Sequence, residues 1–118
     1  MYENISKFNK LNEILKEFSM DITSVLKDYL FTEILARIAD FKAEVEYFEK
    51  KYGKSFEKVQ EEYLKNEENF EIYEDLMAWE FAIEGLKYWE RKLNELKSVF
   101  ADFRKIQEDN QELPGQEF

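Results

Sequence analysis

The stretch FTEILARIADFKAEVEYFEKKY, residues 31–52, decides the fold. Within it Phe31, Ile34, Ile38, Phe41, Val45, Phe48 and Tyr52 recur at alternating intervals of three and four. That is the heptad seam of a coiled-coil-like helix lying along another helix at a shallow angle. Upstream, Asp21 has the chemistry of an N-cap, with Met20 and Val25 placed as a hydrophobic staple across it. The seam helix therefore starts at Ile22 and runs to about Lys51. Lys50 and Lys51 suit the negative end of its dipole, and Gly53 suits a left-handed C′ position. Further upstream, Ile5, Phe8, Leu11, Leu15 and Phe18 share one face of an N-terminal helix over residues 4–18.

Downstream, Ser55 caps a short helix over residues 56–64, with Glu57 in its first turn. Asn66 or Asn69 then caps a fourth helix that continues to about Glu108, roughly 60 Å at 1.5 Å per residue. Three Gly and one Pro among 118 residues leave little turn chemistry for a β-protein. The fold expected is all-α: an antiparallel long-helix hairpin with an N-terminal helix and a short tip helix. Residues 1–110 form a single helical domain, and 111–118, which hold the Pro, form a flexible C-terminal tail.

Small residues supply a register for the hairpin. Ala36, Ala39 and Ala43 form one stripe, and Ala78, Ala82 and Gly85 another. Pairing 36 with 85, 39 with 82 and 43 with 78 gives numbers that always add to 121. Gly85 is costly in mid-helix, about 1 kcal/mol relative to Ala, so its presence argues for a close helix approach.

The fourth helix is apolar over most of its circumference. Ile72, Leu76, Trp79, Ile83 and Leu86 make one stripe; Phe70, Tyr73, Met77, Phe81 and Tyr88 make a second. Between Ala78 and Trp89 the only charged residues are Glu80, Glu84 and Lys87. One hairpin partner cannot cover so much, so a second copy of the chain is expected to complete a dimeric helical bundle across a two-fold axis. Trp79, Phe81, Ile83, Tyr88 and Trp89 are the candidate interface residues.

Composition narrows function. A formal net charge of −10 repels nucleic-acid phosphates, and no basic stripe offsets it, so direct nucleic-acid binding is not expected. No apolar run approaches a membrane span and no secretory leader pattern is present, so a cytoplasmic protein is expected. The chain has no Cys and no His, which removes thiol nucleophiles, thiolate metal sites and the commonest general base. No catalytic residue and no cofactor is assigned.

Carboxylates remain as candidate chemistry. Glu46 and Glu49, and Glu71 and Glu74, form two i, i+3 pairs near one end of the hairpin. An E-x-x-E followed by E-x-x-D on helices resembles the all-α nucleotide pyrophosphohydrolases of the MazG type, and the resemblance implies Mg²⁺ held by these four residues. Glu74 stands where that pattern has Asp, with Asp75 one place late, and Glu46 and Glu49 flank the apolar seam. A metal-dependent hydrolase is thus the alternative reading, with a purely structural bundle subunit as a third.

Charge also clusters. Residues 43–75 carry eleven acidic and five basic side chains, a net of −6. The tip is an acidic knob, with Tyr47, Phe56 and Tyr63 as exposed aromatic candidates, fit to steer a basic protein partner.

The segment FEKKYGKSFEKV, residues 48–59, with AWEFAIEGL, residues 78–86, resembles a group of small archaeal and bacterial helical proteins. These carry an FExKYGxSFExF pattern followed by WE and are regarded as antitoxin-like partners of a small toxin. Val59 departs from the pattern, which places an aromatic there, and no ribbon or helix-turn-helix precedes the segment. The resemblance implies a non-enzymatic, partner-binding helical protein, and Gly53 and Ser55 shape its tip.

Overall fold

The computed structural model describes the backbone of residues 2–66 and 68–111 and the side chains of residues 4–66 and 68–102. Of the expected tail, only Gln111 falls among them. Four α-helices follow in order: α1 (Tyr2–Glu17), α2 (Ile22–Tyr52), α3 (Phe56–Lys65) and α4 (Phe70–Gln111). The protein is all-α, and no strand occurs among the described residues. No described helix is long and apolar enough to cross a membrane. The chain divides into two compact units, Met1–Glu33 and Ile34–Phe118. The boundary falls inside α2, where the sequence leads to an expectation of one domain over residues 1–110.

In the first unit, α1 ends in a paired-hydrogen-bond cap. The Met20 amide donates to the Leu15 carbonyl at 3.0 Å and the Ser19 amide to Lys16 at 2.9 Å, with Ser19 at φ 59°. This is the Schellman arrangement, whose left-handed C′ position usually belongs to Gly. Asp21 caps α2 as the sequence indicates, its Oδ1 accepting from the Ser24 amide at 2.9 Å. Asn12 of α1 adds a second acceptor for the free amides at that end, taking the Ile22 N–H at 3.4 Å. Of the expected apolar face of α1, only Leu15 is half-buried; Ile5, Phe8, Leu11 and Phe18 stay exposed.

In the second unit the seam of α2 is its covered face. Ile34, Val45 and Phe48 are buried, and Ile38, Phe41 and Tyr52 are half-buried. Gly53, at φ 62°, donates to the Glu49 carbonyl at 2.8 Å and ends α2. Ser55 caps α3 by accepting from the Lys58 amide at 3.2 Å. Asn66 closes α3, and Asn69 caps α4 by accepting from the Ile72 amide at 3.2 Å. The core gathers Phe48 from α2, Val59 from α3, and Leu76 and Trp79 from α4.

The register differs from the one the alanines indicate. Arg37 lies over Trp89, Phe41 on Gly85, Phe48 on Trp79, and Tyr52 bonds Asp75, pairs whose numbers add to 126 or 127; Phe41 with Phe81, Lys51 with Glu71 and Tyr52 with Trp79 scatter to 122 and 131 on either side, so the centre lies near 126 and not at 121. Ala36, Ala39 and Ala43 are all exposed. At about 100° per residue they lie on the side of α2 opposite Ile34, Phe41 and Val45, so both sets cannot face α4. On α4 the stripe is used: Ala82 is fully buried, and Ala78 and Gly85 are half-buried. What fills the gap at Gly85 is a ring, since a Cβ there would stand 2.5 Å from the Phe41 ring.

Two stability predictions follow from these contacts. Ser19→Gly relieves a left-handed serine and stabilises the α1 cap by about 0.5–1 kcal/mol, so exchange of the Ser19 and Met20 amide positions slows about two- to fivefold; unchanged or faster exchange contradicts this. Gly85→Ala collides with Phe41 and destabilises by about 1–2 kcal/mol. In a Phe41→Ala background the same change becomes stabilising by up to about 1 kcal/mol through helix propensity. Denaturant melts of the four proteins measure that sign reversal, and a gain in both backgrounds contradicts the contact.

Candidate protein-interaction site

Trp79 organises the tip. It is 1% exposed. Phe48 and Tyr52 stack on it at 5.7 and 5.8 Å between ring centroids, and Phe56 meets it edge-on at 5.5 Å. α2 and α3 thus converge on one indole. Fully burying a large apolar side chain is worth about 2–3 kcal/mol, and aromatic pairs add about 1 kcal/mol each. The indole Nε1 is buried and meets no acceptor among the described residues, a condition that costs about 1–3 kcal/mol.

Beside Trp79 runs a groove of about 610 Å³. Val45, Phe56, Trp79 and Ile83 make its apolar wall, and Glu49, Lys54, Ser55 and Glu57 its polar rim, with Gly53 at the turn. Lys54 is committed elsewhere, its Nζ donating to both oxygens of Glu62 at 2.9 and 3.1 Å. That pair holds the Glu62 carboxyl below the usual carboxylate range through the Lys54 hydrogen bond. Glu49 and Glu57 have no side-chain partner among the described residues.

A polar clasp ties α2 to α4 on another side. Asp75 Oδ2 accepts from Lys51 Nζ at 2.6 Å and from the Tyr52 hydroxyl at 2.5 Å, and Lys51 also reaches Glu71 at 3.3 Å. Desolvation pushes Asp75 up, but the hydrogen bonds from Lys51 and Tyr52 and the Lys51 charge together hold its carboxyl below the ordinary value of 3.8. Desolvation, then the bond to Asp75, push the Tyr52 phenol up to about 12. Lys51 is raised chiefly by its hydrogen bond to Asp75.

The second surface is the opposite side of α4. Phe70, Tyr73, Met77, Phe81 and Tyr88 fall within an arc of about 80°, facing away from Leu76, Trp79 and Ile83. They are 70%, 43%, 54%, 68% and 45% exposed. Phe70 stacks on Tyr73, and Phe81 meets Phe41 edge-on at 5.8 Å, yet Phe70 and Phe81 stay mostly open to water. Glu84 interrupts the stripe.

The candidate interface residues are therefore divided by the structure. Phe81 and Tyr88 lie on the open stripe. Trp79, expected at a partner surface, is the centre of the chain's own core; Ile83 is half-buried against that core, and Trp89 is half-buried beneath Arg37 at 5.1 Å. The second stripe was legible as a period in α4; which stripe the chain covers depended on the rotation of α2. Of the tip aromatics, Tyr47 is exposed, whereas Phe56 and Tyr63 pack on the core. Glu46, Glu49, Glu71 and Glu74 are all exposed, and among the described residues no three acidic side chains are grouped to hold a metal ion. The set that the hydrolase reading needs is not assembled.

Comparisons with protein families, with curated proteins and with solved structures found no match to this chain.

The clasp fixes a pH response. Tyr52 is raised from 10.0 to about 12 on folding, so its contribution is complete below pH 10 and is lost as pH rises through about 12. Asp75 is lowered, so its contribution is complete above its ordinary 3.8 and is lost as pH falls further. Tyr52→Phe costs about 1 kcal/mol at pH 7 and flattens the loss of melting temperature between pH 10 and 12. Parallel alkaline melting curves for the two proteins contradict the clasp.

Proposed function

We propose that this chain is a non-enzymatic protein–protein interaction module that works as a homodimeric helical bundle, with α2 and α4 as the hairpin and the stripe Phe70, Tyr73, Met77, Phe81 and Tyr88 as the seam between copies. The observation that carries this is the exposure of those five residues on one face of α4. At roughly 100 Å² of open surface each, they form a patch on the order of 500 Å². An ordinary monomer shows about 300–600 Å² as its largest apolar patch, often a functional one. Two such patches face to face bury about 1,000 Å², the lower bound for a specific interface.

The acidic tip is the second working surface in this reading, and a small basic protein its partner, as in the antitoxin-like proteins that residues 48–59 and 78–86 resemble. Support comes from the net −6 over residues 43–75 and from the exposure of most carboxylates there. The site is cytoplasmic in this reading and takes no cofactor.

Phe81→Glu places charges at the middle of the seam and weakens dimerisation at least about 100-fold, corresponding to about 3 kcal/mol. Sedimentation equilibrium at tens of micromolar measures it: a dimer for the natural chain and a folded monomer for the variant are expected. A natural chain that is monomeric across that range, with the variant unchanged, overturns the reading.

A further inference from the structure

The open stripe of α4 is flanked by charges that change sign along the helix. Residues 71–84 carry five acidic side chains and no basic one, whereas residues 87–97 carry four basic and two acidic. At about 100° per residue, Glu74 and Lys92 lie five full turns apart on one edge of the stripe. Glu80 and Lys87 lie within about 20° of each other on the other edge. Glu74, Glu80 and Lys87 are exposed and have no side-chain partner among the described residues. Lys92 reaches Glu95 at 3.1 Å, an exposed pair of little worth that leaves the other ammonium donors for a second acceptor. Val99, exposed and at the same angle as Phe81, extends the stripe.

We infer that the two copies of the dimer lay their α4 helices antiparallel across this stripe, with Glu74 opposite the partner's Lys92 and Glu80 opposite the partner's Lys87. In an antiparallel pair the like edges of the two helices meet, so each ion pair forms twice by symmetry. The paired numbers add to 166 and 167, one register to within about 1.5 Å of rise. The apolar residues agree with it. Met77 faces the partner's Tyr88 and Phe70 the partner's Val99, numbers that add to 165 and 169, and the two Phe81 rings flank the two-fold axis. A parallel pair joins opposite edges, about five positions apart, and sets Lys87 against the partner's Lys92 while Glu74 and Glu80 gain no cation. Charges on such edges set the direction of paired helices. The antiparallel register also brings the two Glu84 side chains near the axis, a repulsion that the four ion pairs offset. This inference rests on the reading of α4 as the seam between copies and fixes the direction in which its two helices run.

The test uses the full chain, which has no Cys, so a spin label on Ser98→Cys, an exposed position at the edge of the stripe, reports only on the second copy. Antiparallel copies set the two labels about 45 Å apart, the rise of about 30 helical residues. Parallel copies set them within about 25 Å, an interaxial distance of about 10 Å plus the label arms. Double electron–electron resonance at hundred-micromolar concentration measures this, and the long distance is expected. Sedimentation equilibrium then checks the register. Glu74→Lys and Lys92→Glu each weaken dimerisation about five- to tenfold, and the two together in one chain restore it to within about twofold, because opposite charges again meet across the seam. A long distance without that restoration overturns the pairing of Glu74 with Lys92. A dimer with the short distance overturns the antiparallel direction and leaves the seam standing. A chain that sediments as a monomer at the same concentration overturns the seam and the direction with it.

Discussion

The second unit depends on one constraint: α4 is apolar on two opposite faces. On one, Leu76, Trp79 and Ile83 are covered by α2 and α3; on the other, Phe70, Met77 and Phe81 face water. A helix alone gains little from such a pattern, because most helical stability in proteins comes from burying a face. The covered face holds the structure together. The open face gives the molecule a reason to associate.

The covered face is strongest at the tip. Three aromatic rings meet on Trp79, α3 closes over them with Val59, and the Lys51–Tyr52–Asp75 clasp locks the end of α2 to the start of α4. Away from the tip, Phe41 lies on Gly85 and against Phe81, and Arg37 lies over Trp89.

Much of this could be read from the residues. The interval of three and four from Phe31 to Tyr52 marked the covered face of α2, and Asp21, Gly53 and Ser55 marked helix ends where the structure places them, while the start of α4 was left between Asn66 and Asn69, of which Asn69 is the cap. Each is a local signal, carried by side chains within one turn of the backbone they satisfy. The register was misread although the means to read it were present: Ala36, Ala39 and Ala43 lie half a turn around α2 from its own seam. Small residues matched by number alone concealed that rotation. The Schellman turn at Ser19 gave no sequence signal, because the residue favoured there is Gly. The groove and the Asp75 clasp were also invisible, since Tyr52 and Asp75 are 23 positions apart and meet only once the true register is set. Trp79 could be placed in a stripe but not assigned to the core, because both stripes of α4 are equally greasy in sequence.

The claim that α4 keeps one apolar face for a second copy is tested most directly by hydroxyl-radical footprinting of the natural chain from sub-micromolar to hundred-micromolar concentration, with modification read residue by residue. The account predicts that Met77, Phe81 and Tyr88 become protected together as concentration rises, while Tyr47, exposed on α2, is modified at a constant rate. Constant modification of Met77 and Phe81 across the whole range would contradict it.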